Sequence, residues 1–186
     1  SFPSSSIQME QVAYADLSDY PSLKPYYDHR PKIGIRRVIN RQDRLMATYI
    51  NEQLLFRKDI NPFIITDNGF NIFYVLGIIN SSLISYLYVN TSSIATKDDF
   101  RQTTLAEIRK LPLPKFDETK KNMRDMVELV NRMLELNKQL QAAKTAHDKT
   151  TIERQINATD RQNDRLVYDL YDLTNEEIKI VAGVRR

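Results

Sequence analysis

The residues best suited to binding a polyanion are concentrated near the start of the chain. Between Lys24 and Lys58 there are nine basic residues and three acidic ones, whereas Phe116 to Arg186 carries thirteen of each. Such cations neutralise phosphates, and Arg, Asn and Gln can also form bidentate hydrogen bonds with base edges. A solvated basic face is the alternative, and it is the more frequent origin of a charge run. The residues alone leave both interpretations open.

Asn61-Pro62-Phe63 is the stretch that could hold a base for chemistry. It is one proline short of the Asn-Pro-Pro-aromatic motif of amino-group DNA methyltransferases, in which the Asn side chain and a backbone carbonyl accept hydrogen bonds from the target amino group. Here the second proline is absent, no glycine-rich cofactor motif precedes it, and Ile64-Ile65 continue as a strand. We therefore interpret it as a turn that enters a strand.

Composition excludes several other kinds of site. The 186 residues include no cysteine, which excludes disulfides and thiolate zinc sites and fits a cytoplasmic protein. The four glycines form no Gly-x-Gly loop, so that kind of cofactor cradle is absent, and the two histidines lie far apart.

No apolar run reaches the roughly 18 residues that span a bilayer, and Phe70 to Val89 is predicted to be a buried helix. We predict no catalytic, cofactor or metal site and no membrane association. The N-terminus lacks an initiator Met and signal-peptide features, so we expect the chain to be part of a longer protein.

The first half of the chain is predicted to mix strands and helices. Lys32 to Val38 alternates apolar and polar residues, as expected of a half-buried strand. Leu45 to Ile50 and Phe63 to Thr66 are rich in β-branched and aromatic residues and are predicted to be further strands. Helical spacing follows the turn at Asp67-Asn68-Gly69, and the Leu-Pro-Leu-Pro sequence at 111–114 ends this region.

The second half is predicted to be an antiparallel helical hairpin. Asp117 to Ala143 contains no Pro or Gly and repeats apolar residues at near-heptad spacing, and a second such run starts at Ile152. That second seam is polar at Thr159 and Asn163, which indicates a contact that selects register. Thr174 and Glu177 form a capping box for a last short helix. The prediction is an α+β fold with an α/β body over 1–115 and a hairpin with a C-terminal helix over 116–186.

Three stretches resemble the TaqI-like C-terminal specificity domain of adenine-specific DNA methyltransferases and type IIG restriction-modification enzymes. Leu76 to Tyr88 is similar to the family's helix with an Asn-Ser pair, and Phe100 to Pro114 to its strand before a Leu-Pro-x-Pro junction. The most specific stretch is Ile152 to Gly183, whereas residues 1 to 69 match loosely. The matching residues in that C-terminal stretch are Ile156, Asp160, Asp164, Leu166, Val167, Tyr168, Leu170, Tyr171, Leu173, Thr174, Glu177, Ile178 and Val181.

The resemblance implies a target-recognition domain that docks in a groove of double-stranded DNA, braced by its helices against a methyltransferase domain of the same chain or of a separate subunit. It also implies a parent enzyme that uses S-adenosylmethionine to methylate adenine N6, with or without DNA cleavage. Departures at Asn163, Asp172 and Ala182, where the family often has Ile, Gly and Glu, concern the packing of the hairpin and the C-terminal tail.

Together, the basic region and the resemblance predict which residues contact DNA. Some are expected to bind phosphate and some, with Asn40 and Gln42 as candidates, to read bases. The alternative is a protein-interaction or spacer module, comparable with type I specificity subunits, that docks a separate methyltransferase or nuclease subunit. The predicted DNA-contacting residues are Arg30, Lys32, Arg36, Arg37, Asn40, Arg41, Gln42, Arg44, Arg57, Lys58, Lys97 and Arg101.

Overall fold

A three-stranded antiparallel sheet forms the centre of the first half. The structure is a computed structural model, and it describes residues 18, 21–22, 24–54, 56, 58–93 and 101–183. A short helix, α1 (Lys24–Asp28), precedes the sheet. The strands are β1 (Lys32–Arg36), β2 (Ala47–Ile50) and β3 (Ile60–Phe63), in the order β2-β1-β3.

Two of the strand predictions need correction. The central strand β1 is not half-buried, because Lys32 and Gly34 are buried as well as Ile33 and Ile35. The third strand begins at Ile60, so Asn61-Pro62-Phe63 is not an entry turn but part of β3, with Pro62 opposite Gly34. Proline is tolerated there because β3 is an edge strand, which leaves one side of its backbone without a ladder partner.

The apolar run predicted as one helix is two. It forms α2 (Ile72–Ile79) and α3 (Ser82–Thr91), which are bent by 63° relative to each other. The break occurs because Ser81 caps α3, accepting from the amide of Ile84, while the Asn80 side chain bonds both backbone groups of Ala47 in β2. Among the described residues, no single helix is long and apolar enough to cross a membrane, and only the bent pair α2 and α3 together reaches that length.

The stretch predicted to be a strand before the Leu-Pro-x-Pro junction is mostly not one. Gln102 forms a single antiparallel bridge with Val38. Thr104 then caps a short helix, α4 (Leu105–Ile108), because its hydroxyl accepts from the amide of Glu107.

The predicted hairpin and capping box are confirmed. Helices α5 (Lys121–Ala142) and α6 (Ala146–Leu170) are joined by three residues and pack along each other. The last helix, α7 (Asn175–Gly183), starts at the reciprocal hydrogen bonds of Thr174 and Glu177.

One hydrophobic core joins the two predicted parts of the chain. Its fully buried members include Ile33 and Ile35 from the sheet, Tyr74 from α2, Met126 from α5 and Val167 from α6. The α+β fold is therefore confirmed, and the side chains on both sides of residue 115 are buried against one another.

Candidate nucleic-acid interface

Five of the predicted cationic residues lie at one end of the sheet. Arg36 is exposed at the end of β1, and the next residue, Arg37, is half-buried with Nη1 3.4 Å from the carbonyl oxygen of Lys58. The Nε of Arg37 donates a 3.1 Å hydrogen bond to Gln102, which follows Arg101 in the chain. We call these five residues the basic cluster: Arg36, Arg37, Arg41, Lys58 and Arg101.

Two carboxylates lie among these cations, so the basic cluster keeps a net positive charge. Asp43 forms an ion pair with Arg101, and both side chains are about one-third exposed. Asp59 is exposed beside Lys58, and its carbonyl oxygen accepts a 2.8 Å hydrogen bond from the amide of Arg37. A surface with this balance attracts polyanions.

Segment 101–104 is fixed against the end of β1 by main-chain and side-chain hydrogen bonds. The amide of Thr103 donates to the carbonyl of Arg37 at 2.7 Å. The Nδ2 of Asn61 donates to the Thr103 carbonyl at 2.9 Å, and the Tyr88 hydroxyl donates to the Gln102 carbonyl at 3.1 Å. The Asn61 side chain is therefore engaged in holding this segment rather than aimed at a ligand.

A tight turn at Asn40–Asp43 carries two of the predicted residues. The amide of Asp43 donates to the carbonyl of Asn40 at 3.0 Å, which closes a β-turn with Arg41 and Gln42 at its corners. The Oδ1 of Asn40 accepts from the amides of Gln42 and Arg44, at 3.0 and 2.9 Å. Asp43 has φ 54°, a left-handed conformation that Asp adopts more readily than most residues.

Met46 lies between Arg36 and Asn40 and was not among the predicted residues. Its Sδ is 3.9 Å from Nη1 of Arg36 and 3.7 Å from Nδ2 of Asn40, and 38% of the residue is exposed. Val38, on the same loop, is equally exposed. The alternation in "LMATYI" could have identified Met46, because it places Met46 and Thr48 on the face opposite Leu45.

Arg44 does not face the surface with the others. Its guanidinium bonds the Ser82 hydroxyl at 2.8 Å, the Asn80 carbonyl and the Asp160 carboxylate at 3.1 Å, and it lies 3.8 Å from Asp164. Only 17% of its side chain is exposed. Arg44 therefore connects the β1–β2 loop to α3 and α6, and it is not placed to contact DNA.

The carboxylates that surround Arg44 come from the hairpin. Asp164 is buried, and its two oxygens accept from the amide and the hydroxyl of Ser82, both at 2.7 Å. The backbone amides at the first turn of α3 have no partner within the helix, and Asp164 supplies an acceptor for one of them. The spacing of Asp160 and Asp164, four residues apart on one face of α6, is the sequence signal that could have indicated a cationic partner.

Two other predicted residues lie at the opposite end of β1. Lys32 is 1% exposed, its Nζ donates to the carbonyl oxygen of Tyr27 at 2.6 Å, and it lies 5.8 Å from the centre of the Phe56 ring. Burial lowers the pKa of Lys32, and the neighbouring charge of Arg30 lowers it further. Arg30 is exposed but separated from the basic cluster by the length of β1. Arg57 and Lys97 lie outside the described residues.

Two of the glycines lie at closely packed contacts inside the fold. A Cβ on Gly34 would lie 2.7 Å from the Ile50 side chain, and one on Gly77 would lie 3.0 Å from Met126, Val130 and Asn163. These two glycines therefore permit close packing of the strands and helices. Among the described residues, no group of three or more His, Asp or Glu side chains is arranged to hold a metal ion.

Comparison with known proteins shows what the chain is similar to. A family model for the TaqI-like C-terminal specificity domain matches residues 5–113. A protein of Methanocaldococcus jannaschii named "Putative type II restriction enzyme and methyltransferase" is 43% identical over 141 residues, which are 75% of this chain. The chain spans only 11% of that relative's length.

The matched segment includes all the described residues of the basic cluster. It also includes residues 5–69, where the resemblance of individual motifs was loose, and it ends before α5. The motifs in Ile152 to Gly183 therefore lie outside the segment that the family model covers, although they led to the same family.

Proposed function

The chain belongs to the TaqI-like C-terminal specificity domain family, and from this premise we propose that it recognises a specific sequence in double-stranded DNA for a restriction-modification enzyme. The observation that carries the proposal is the basic cluster, which lies within the matched segment. Arg36, Arg41 and Lys58 are exposed there and can approach a duplex together. The alternative of a protein-docking module is not favoured by the family match.

The structure changes which of the sequence-predicted residues enter this proposal. We keep Arg36, Arg37, Arg41, Gln42, Lys58 and Arg101 at the interface and leave out Lys32 and Arg44, because both are held by groups inside the protein. Arg30 is left out because it lies at the far end of β1. The helices α5 and α6, whose charges balance, contribute no contact to the DNA in this proposal.

The test is an Arg36→Ala/Arg37→Ala variant of the full-length protein. We expect this variant to lose site-specific DNA binding and modification, because two cations that would contact phosphates are removed. The slope of DNA affinity against salt concentration should also become less steep, by an amount that corresponds to about two released counterions. A Lys138→Ala/Lys144→Ala variant removes two exposed charges from the hairpin and should bind as the unchanged protein does.

Arg37 also bonds Gln102, so the single variant Arg36→Ala separates loss of charge from loss of structure. It should weaken binding in the same direction while leaving the thermal midpoint in place. Unchanged binding and modification of the preferred site by the double variant would overturn the proposal. DNA binding through several phosphates should also weaken steeply between low and moderate salt. Association with a protein partner through apolar contacts would not change over that range.

For the parent enzyme we propose a methyltransferase that uses S-adenosylmethionine to methylate adenine N6, with this domain supplying the target. The name of the Methanocaldococcus jannaschii relative supports the methyltransferase part, and the cofactor would bind outside this chain. Incubating the full-length protein with labelled S-adenosylmethionine and DNA, then separating the nucleosides, tests it. We expect the label in N6-methyladenine, and label in a methylated cytosine would contradict the proposal. Cytoplasmic location stays a prediction.

A further inference from the structure

We propose that Arg41 and Gln42 are the residues that read bases, from the major groove, and that Asn40, Asp43 and Arg44 hold the turn that presents them. This inference rests on the proposed function in DNA recognition. It divides the loop between β1 and β2 into two reading positions and three positioning residues. It also reverses the expectation that Asn40 reads a base.

The two corner positions of the Asn40–Asp43 turn are free to contact a ligand. Arg41 and Gln42 are both exposed, and neither side chain has a hydrogen bond or ion pair with another residue of the described chain. Neighbouring long polar side chains behave differently, since Arg37 is bonded to Gln102 and Arg44 to Ser82 and Asp160. The turn thus places two unengaged side chains with hydrogen-bonding ends at its tip.

Both ends of this turn are fixed. On one side the Oδ1 of Asn40 accepts hydrogen bonds from the backbone amides of Gln42 and Arg44, at 3.0 and 2.9 Å. On the other side Asp43 is paired with Arg101, and Arg44 is bonded to α3 and α6. A loop that is already ordered loses little conformational entropy when it binds, which favours discrimination between closely similar ligands.

The same hydrogen bonds exclude Asn40 from base reading. To recognise adenine, an amide must accept from N6 and donate to N7 at once. The Oδ1 of Asn40 already accepts hydrogen bonds from two backbone amides, and its Nδ2 lies 3.7 Å from the Met46 sulfur. Asn40 could pair with adenine only if the turn opened, whereas Gln42 can pair without any change in the turn.

The chemistry of the two corner residues fits the major groove. Arg forms bidentate hydrogen bonds with guanine O6 and N7, and Gln does so with adenine N6 and N7, all of which face that groove. The groove is about 12 Å wide, enough for the two passes of the loop that connects β1 to β2 and for the turn at its tip. Arg36 and Lys58 are then placed behind the tip, where phosphates flank the groove.

The experiment is selection of preferred sites from random duplexes by the full-length protein and by its Arg41→Ala and Gln42→Ala variants. The unchanged protein should select a defined sequence. Each variant should still bind DNA but lose discrimination at one or two base positions, by about ten- to a hundredfold, while the other positions keep their preference. Each variant should keep the thermal midpoint of the unchanged protein, because neither side chain is bonded to another residue that the structure describes.

Two controls separate reading from positioning. Asn40→Asp keeps an oxygen that can accept both amides, so it should select the same sequence with lower overall affinity because of its added negative charge. Arg36→Ala should weaken binding to all sequences alike. A changed base preference in Asn40→Asp would overturn the inference.

The inference and the proposed function fail in different ways. If the unchanged protein selects no sequence, the proposed function itself is wrong. If it selects a sequence, and Arg41→Ala and Gln42→Ala select that same sequence with uniform weakening, then DNA recognition stands but the assignment of the two reading residues is wrong.

Discussion

At the scale of single residues, the partners of an arginine decide whether it can contact a ligand. Arg36 and Arg44 belong to the same basic stretch and were predicted alike. Among the described residues, the partner of the Arg36 guanidinium is a thioether at 3.9 Å, whereas Arg44 has two carboxylates, a hydroxyl and a carbonyl. Charge counting along a sequence cannot distinguish these environments, because the acidic partners of Arg44 lie more than 110 residues away.

Arg44→Ala should lower the stability of the fold substantially. Asp164 is buried, and removal of the guanidinium leaves that carboxylate without its nearby cation, which typically costs about 3 kcal/mol. Urea unfolding followed by circular dichroism measures the change. Lys138→Ala is the control, because its contact with Glu135 is 3.9 Å long and exposed, and it should change stability by less than about 0.5 kcal/mol. Equal midpoints for the two variants would contradict this account of Arg44.

Two tyrosines provide a matched pair of substitutions. The buried Tyr74 hydroxyl has no hydrogen-bond partner in the described part of the chain, whereas the Tyr171 hydroxyl donates to the Pro112 carbonyl. Tyr74→Phe removes an unpaired polar group and should leave stability equal or higher, while Tyr171→Phe should cost about 1 kcal/mol. The thermal and urea midpoints of Tyr74→Phe should therefore stay equal or rise, and those of Tyr171→Phe should fall. A larger loss in Tyr74→Phe than in Tyr171→Phe would count against these contacts.

Tyr74 also predicts a response to alkaline pH. Burial raises the pKa of Tyr74 from 10.0 to about 12, so the folded state favours the neutral phenol. Below pH 10 the phenol is neutral in both the folded and the unfolded state, so the stability of the fold is unaffected there; as the pH rises from 10 to about 12 the unfolded state loses the proton first, and this stability falls. Unfolding midpoints measured from pH 9 to 12 should fall less steeply in Tyr74→Phe than in the unchanged protein, and parallel curves would contradict this.

At the scale of elements, the sheet-bearing body and the hairpin are joined where α2 packs against α5 and α6. Gly77 lies at this contact, and its carbonyl accepts a 2.9 Å hydrogen bond from Nδ2 of Asn163. The polar seam of α6, predicted to select register, therefore meets the backbone of α2 as well as α5. A polar contact of this kind is made in one alignment of the helices and lost in others.

Gly77→Ala should destabilise the protein even though alanine favours helices. The added Cβ would lie 3.0 Å from atoms of Met126, Val130 and Asn163, on two different helices, so no single shift relieves all three contacts. Overpacking costs typically 1–3 kcal/mol, more than the ~1 kcal/mol gained from helix propensity. Gly183→Ala is the control, because nothing lies within 4 Å of its Cβ position. A urea midpoint in Gly77→Ala at or above that of Gly183→Ala would be inconsistent with this packing.

At the scale of the whole molecule, one core extends across the boundary predicted at residue 115. Met123, Met126 and Val130 of α5 and Val167 of α6 are buried in the same cluster as Ile33, Tyr74 and Ile79. The hairpin thus covers apolar surface of the body, in addition to any role it has in contacting another domain. The two parts therefore share buried apolar surface where α2 packs against α5.

We therefore expect the body and the hairpin to unfold together. Urea unfolding followed by far-ultraviolet circular dichroism, which is dominated by the long helices, and by tyrosine fluorescence should give coincident transitions. In a chain that ends at residue 115, the loss of α5 to α7 exposes the apolar face of α2, so the cooperative transition should disappear. Two separate transitions in the whole chain would contradict a shared core.

Much of this architecture could be predicted because it depends on local signals. The hairpin follows from apolar spacing, and the start of α7 from the capping box at Thr174 and Glu177. The division of the long apolar run into α2 and α3 was missed because the role of Asn80 depends on a tertiary contact with β2, although the Ser81 cap of α3 is a local signal. In the candidate interface, the basic residues can be listed from the sequence as a group, but the β-turn that places Arg41 and Gln42 at its corners could not be predicted from it.

Pro62, in β3, has a consequence for behaviour at high concentration. The exposed backbone of an edge strand can pair with a strand of another molecule and so start aggregation. Pro62 has no amide hydrogen to offer, and Asn61 beside it is tied to Thr103. The edge formed by β3 is therefore a poor template for strand pairing between molecules. This lowers the tendency of the small sheet to aggregate while the loops beside it stay open to solvent.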